Sequence, residues 1–165
     1  MEIKSQYTLF GKTYGVIYRE EDPNVNLGKS ILRIVHGYCF YKDKMVLVYH
    51  DPLQYWMPPG GGMEPGETWE EAVVREVKEE TNMKVLEQQL IGYQDVEEAD
   101  GKVTRHVRSF CVVEPYGDFV SDPDGDITET KLIDPADYKK YFDWGEVGDR
   151  IMERALEMND KLKNI

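Results

Sequence analysis

The sequence predicts a single mixed α/β domain. Three observations predict it: apolar runs with the two-residue alternation of β-strands, one short helix signalled at both its ends, and an amphipathic helix near the C-terminus. A chain of 165 residues with 41% apolar content suits one domain with its own core and excludes wholesale disorder.

Residues 1–28 read as an N-terminal β-hairpin extension and linker, and 29–165 as the main domain. Tyr7 and Leu9 alternate on one strand, Gly11-Lys12 turns, and Tyr14, Val16 and Tyr18 alternate on the return. Glu20 to Gly28, with Pro23, is the linker. Gly28-Lys29-Ser30 looks like the end of a P-loop, but Pro23 stands where that motif needs glycine. Ile31–Tyr41 and Met45–His50 are strands joined by Lys42-Asp43-Lys44, and Asp51–Tyr55 is a loop. Pro58, Pro59, Gly60, Gly61, Gly62, Pro65 and Gly66 argue against regular structure before Glu67.

Thr68 is then a good N-cap, Glu71 completes a capping box, and Asn82 can adopt the left-handed conformation that stops a helix, so the helix spans Trp69 to Thr81. Lys84–Val96 and Thr104–Val113 are paired strands around the polar turn Glu97 to Gly101. Thr128–Ile133 is a last strand, and Asp134-Pro135 starts a short helix to about Phe142. Glu146–Leu162 carries an apolar stripe of Val147, Ile151, Ala155, Met158 and Leu162, suited to the core or, secondarily, to a homodimer contact.

A formal net charge of −12 argues against broad nucleic-acid or anionic-membrane binding. No apolar run is long enough to span a membrane, and Met1-Glu2-Ile3-Lys4 does not start like a signal peptide. With Cys39 and Cys111 read as buried free thiols, a cytoplasmic protein is expected.

The distribution of carboxylates round the helix points to chemistry. Trp69, Ala72, Val73 and Val77 share one arc; Glu71 and Lys78 lie opposite it; Glu76, Glu79 and Glu80 project on the flank of the apolar arc. Two carboxylates about 4 Å apart repel by roughly 4 kcal/mol at the effective dielectric of a partly buried site. Arg75 compensates only part of that. A divalent cation is the natural partner for such oxygen ligands. The plain alternative is a solvated acidic face with an Arg75–Glu79 surface pair; the angular position and the adjoining glycines weigh against it.

Gly61, five residues, Glu67, seven residues, then Arg75-Glu76-Val77-Lys78-Glu79-Glu80-Thr81-Asn82-Met83 resembles the signature box of the Nudix hydrolases. Asn82 replaces the family's glycine; asparagine tolerates the left-handed conformation next best. The resemblance implies an α/β/α sandwich with a mixed sheet, and hydrolysis of a pyrophosphate bond in a nucleoside diphosphate linked to another group. It implies Mg²⁺ or Mn²⁺ as cofactor, with Glu76, Glu79 and Glu80 as metal-binding residues and Glu76 also placed to act on the attacking water. Arg75 and Glu67 would orient helix and loop, and Gly61 and Gly62 would admit phosphates. In such proteins a carboxylate from outside the box often assists. Asp122, Asp124, Asp126 and Glu129 are candidates, with Asp124 carried forward as a metal ligand; Asp122–Asp126 otherwise reads as a solvated turn, or as an EF-hand loop that fails at Ile127 and Ile133.

Outside the box, Arg33 is a candidate for substrate binding or a structural ion pair. Arg105, His106 and Arg108 form a basic cluster that suits a polyphosphate or, as the plain alternative, charge balance on an edge strand; Arg105 is carried forward as a substrate-binding candidate, and His106 either donates to phosphate or is structural. Tyr55 and Trp56 are candidates to stack on a base or to pack beside the glycine loop. Substrate markers of some subgroups are missing, which leaves non-standard nucleoside triphosphates, nucleotide sugars and capped RNA ends open. A second reading is a non-catalytic Nudix-fold nucleotide sensor; a calcium-binding acidic module is a remote third.

Overall fold

The computed structural model describes residues 1–164; residue 165, the end of the expected main domain, lies outside them. Nine strands form one mixed sheet: β1 (Glu2–Leu9), β2 (Lys12–Arg19), β3 (Ile31–Tyr41), β4 (Lys44–His50), β5 (Tyr55–Met57), β6 (Gly60–Gly62), β7 (Met83–Glu97), β8 (Val103–Pro115) and β9 (Ile127–Ile133). The order is β1-β2-β7-β8-β3-β4-β5, with β6 paired to β3 and β9 to β4. All pairings are antiparallel except β3 with β8.

One helix covers each face. Helix α1 (Trp69–Thr81) buries Trp69, Ala72, Val73 and Val77 against Val35, Val46, Val107 and Val113. Helix α2 (Gly145–Lys163) buries Val147, Ile151, Met152 and Ala155 against Tyr18, Tyr38, Phe40, Leu47 and Phe110. This is the expected α/β/α sandwich, and the α2 stripe belongs to its core.

Both ends of α1 form as their residues dictate. The Glu71 N–H donates to Thr68 Oγ1 at 3.1 Å, and the Thr68 N–H reaches back to Glu71 Oε1 at 3.4 Å. Asn82 takes φ 54° and ψ 39°, and its amide donates to the Asp118 carbonyl at 3.0 Å. The N-terminal hairpin pairs through β2 onto β7, so its strands continue the main sheet.

Three expectations need correction. The proline- and glycine-rich stretch holds two short strands, β5 and β6, rather than no regular structure. Gly60 faces the His36 backbone so closely that a Cβ would clash with it, and three glycines let this edge approach β3. The segment after Pro135 is a 3-10 helix, Pro135–Lys140, rather than a longer helix to Phe142. The strand after α1 starts at Met83, without an intervening loop, and runs for 15 residues, with bulges between Val85 and Glu87 and between Leu90 and Gly92.

Candidate active site

Helix α1 sets its carboxylates at the boundary between core and loop. Glu76 and Glu80 are only 5% and 7% exposed, and Glu79 is more open. Burial raises the Glu80 pKa to about 9, and repulsion from Glu76, Asp122 and Glu79 adds to the rise; the Gly60 N–H, donating to Glu80 Oε1 at 2.7 Å, opposes it. Burial raises Glu76 to about 7 against the pull of Arg75, and burial also raises Glu79.

Arg75 binds loop to helix with all five of its N–H donors. Nε and Nη2 grip Glu67 at 2.7 and 2.9 Å, Nη2 also donates to the Gly62 carbonyl at 2.9 Å, and Nη1 reaches Glu76 at 2.9 Å and Glu79 at 3.3 Å. The fork holds Glu67 below the usual carboxylate range. Gly61 packs on Glu76 so tightly that a Cβ there would stand 2.7 Å from its Oε1, whereas one on Gly62 would meet nothing within 4 Å.

Asp122 and Asp124 lie close enough to raise the glutamates' pKa values: Asp124 acts on Glu76 and Glu79, Asp122 on Glu79 and Glu80. Asp122 is buried and occupied, accepting from the Asp124 and Ile127 N–H groups, while Asp124 is exposed. Asp126 stands 4.0 Å from His50, and Glu129 is exposed on β9 opposite Tyr49.

The cationic candidates part company. Arg33 is exposed at a β-bulge in β3, next to the Gly62 register position, and its carbonyl accepts from Met63. Arg105 does not hold the place expected of it. Its five N–H donors are consumed by Asp95, at 2.8 and 3.0 Å, and by the carbonyls of Pro23, Val25 and Asn26, and its guanidinium lies 3.9 Å from the Tyr93 ring centroid. It pins the linker and has no donor left for a phosphate. Strand alternation also splits the basic cluster, since consecutive residues of β8 point to opposite faces. Trp56 packs against Tyr49 and Tyr141. Sequence reasoning missed the contact of Arg108 with His36, at 2.7 Å across 72 residues, for which no local pattern exists.

Among the described residues, no three acidic, histidine or cysteine side chains are gathered tightly enough to hold an ion as they stand. The donor set nevertheless fits a hard divalent cation: oxygen-only, acidic, partly buried, and with carboxyl pKa values raised chiefly by burial and further by repulsion between neighbouring carboxylates. A hollow of about 390 Å³ lies elsewhere, lined by residues such as Lys4, Val16, Leu27 and Asp95.

A family model described as the NUDIX domain matches residues 33–155. The chain belongs to the Nudix hydrolase family. The Bacillus subtilis (strain 168) Nudix hydrolase YvcI, named as uncharacterized, is 40% identical over 50 residues, which are 30% of this chain and 32% of that protein. The match thus spans about a third of that relative's length. The Bacillus subtilis pyrophosphohydrolase BsRppH superposes with a TM-score of 0.72 at 23% identity, covering 96% of this chain and 97% of that one. The NUDIX domain of Shewanella oneidensis NrtR, solved with ADP ribose, gives 0.62 at 20% identity over 84% and 93%. At these identities the likeness speaks for the Nudix fold, including strands and helices outside the box.

Proposed function

We propose that this Nudix protein hydrolyses the pyrophosphate bond of a small nucleotide-type substrate, a nucleoside diphosphate linked to a further group, with Mg²⁺ or Mn²⁺. The observation that carries the reading is the crowding of Glu76, Glu79 and Glu80 beside the Gly60–Gly62 strand, with a single arginine among them. Those three glutamates, with Asp124 from the facing loop, would hold the ion, which when bound neutralises phosphate charge and acidifies water.

The remaining work falls to the chain's own groups. Glu76, oriented by Arg75 Nη1, accepts a proton from the water whose oxygen bonds to phosphorus as the bridging P–O bond breaks. Gly61 and Gly62 present backbone without side chains, so phosphates can approach the strand. Arg33, exposed on β3 beside the end of that strand, is the available cation for an outer phosphate. Two buried free thiols accord with a cytoplasmic setting.

The test is a panel of nucleoside triphosphates, dinucleotides and nucleotide sugars, assayed for phosphate or pyrophosphate release with and without Mg²⁺. Metal-dependent turnover is expected, with Glu80→Gln slower by on the order of 10²-fold or more. Binding without turnover across the panel would favour the nucleotide-sensor reading instead.

A further inference from the structure

Arg108 is buried to 3% exposure on β8 and lacks what a buried cation requires. Among the described residues no carboxylate lies within ion-pair distance of it, in a chain of 32 acidic residues. Its Nη1 meets His36 Nδ1 at 2.7 Å, its Nε has no partner, and no described residue accepts from Nη2. Arg105, three residues earlier, shows what a structural arginine looks like in this sheet: five donors, all taken.

The surroundings are aromatic. The guanidinium faces the Trp144 ring at 5.6 Å, and His36 meets the same ring edge-on at 5.9 Å. The hydroxyls of Tyr38, Tyr7 and Tyr55 are near enough to interact with the Arg108 charge. Tyr38 Oη is also buried without a partner, so both such side-chain atoms among the described residues fall in this one place. Tyr55, His106 and Trp144 are half-buried, which leaves the rim partly open. His36 pairs in register with Gly60, the residue whose N–H holds Glu80. Strand alternation puts Arg108, like Tyr38 and Phe110, on the α2 face of the sheet, across from the glutamates on the α1 face, and the His36 ring abuts the Gly60 backbone that lies between the two.

With Nη1 engaged, the free edge of the guanidinium is the Nε–H and Nη2–H pair, two parallel donors. Such a fork matches two adjacent acceptors on a flat group, and aromatic walls favour a ring over a phosphate. We infer that Arg108 is a specificity-determining residue that receives the O6/N7 edge of a 6-oxopurine base, with His36 holding the guanidinium in place. Burial keeps His36 neutral, so its Nδ1 accepts from Nη1. Adenine sets an amino donor where the 6-oxo acceptor stands and is rejected, since donor meets donor. This inference rests on the nucleotide reading above and names the base that the site takes.

The test is calorimetric binding of the 5′-diphosphates of guanosine, inosine, adenosine and 7-deazaguanosine to the full chain without added metal. The guanosine and inosine compounds are expected to bind on the order of tenfold more tightly than the adenosine compound, and loss of N7 to cost a similar factor. Arg108→Met should level the series. Guanosine and adenosine diphosphates binding within twofold of each other would overturn the inference, as would a folded Arg108→Met variant that still discriminates. The 7-deaza comparison needs no variant, so a misfolded mutant does not blunt the test. Discrimination without Mg²⁺-dependent turnover would sink the hydrolase reading and leave Arg108 assigned; turnover without base preference would do the reverse.

Discussion

Replacing Glu80 with glutamine should stabilise the metal-free protein while disabling its response to metal. Glu80 is 7% exposed, and its carboxyl pKa is lifted from the ordinary 4.5 to about 9, chiefly by burial. Between those two values the folded protein keeps a proton that the unfolded chain has released, so stability of the metal-free protein falls as pH rises through that window. At pH 7, two and a half pH units above the ordinary value, each worth about 1.4 kcal/mol, the cost is on the order of 3 kcal/mol. Glutamine keeps the oxygen that accepts from Gly60 and leaves the unfolded chain no carboxyl to ionise; because the shift depends partly on neighbours such as Glu76, about 1 to 3 kcal/mol should be recovered. For a chain of this size that is roughly 2 to 10 °C in Tm. Thermal unfolding followed by circular dichroism in EDTA should show Glu80→Gln above wild type at pH 7, with the gap closing toward pH 4.5. Added Mg²⁺ should raise wild type and leave the variant nearly unmoved. A variant less stable than wild type in EDTA at pH 8, or a gap independent of pH, would refute the reasoning.

Arg105→Lys strips the fork from Asp95 and three linker carbonyls, so urea unfolding should show a loss of about 3–5 kcal/mol. A nucleotide KM raised tenfold with stability unchanged would instead return Arg105 to the site. Gly61→Ala sets a methyl 2.7 Å from Glu76 Oε1 and should cut turnover by roughly tenfold or more, whereas Gly62→Ala, with open space around it, should keep kcat near wild type and act through a raised KM where phosphates approach. Comparing kcat for the two checks that spacing. Asn82→Ala should cost about 1–2 kcal/mol, because alanine resists the left-handed conformation there. Asn82→Gly should stay within about 0.5 kcal/mol of wild type, since easier backbone geometry offsets the lost bond to Asp118. Chemical denaturation of the pair measures both.

What the sequence made legible was written locally. Thr68 with Glu71 marks the start of α1 and Asn82 its end, each from residues at that terminus, and the apolar arc sets which glutamates sit at its edge. The longer strands were visible through alternation. Strand β6 was not, because three glycines carry no pattern; its existence depends on how closely β3 must be approached. The roles of the arginines were hidden for a different reason. Arg105 and Arg108 look alike in a basic run, yet one is saturated by a linker some 80 residues earlier and the other meets His36 through the β3–β8 register. Such pairings are tertiary facts that no local spacing encodes.

The central claim is that the crowded glutamates are a place for divalent cations. Anomalous diffraction from crystals soaked in Mn²⁺ tests it most directly. A peak is expected within coordination distance, about 2.0–2.5 Å, of oxygens from Glu76, Glu79 or Glu80, and is expected to be absent in the Glu80→Gln protein. No peak there at millimolar Mn²⁺, with the three side chains still clustered, would contradict it.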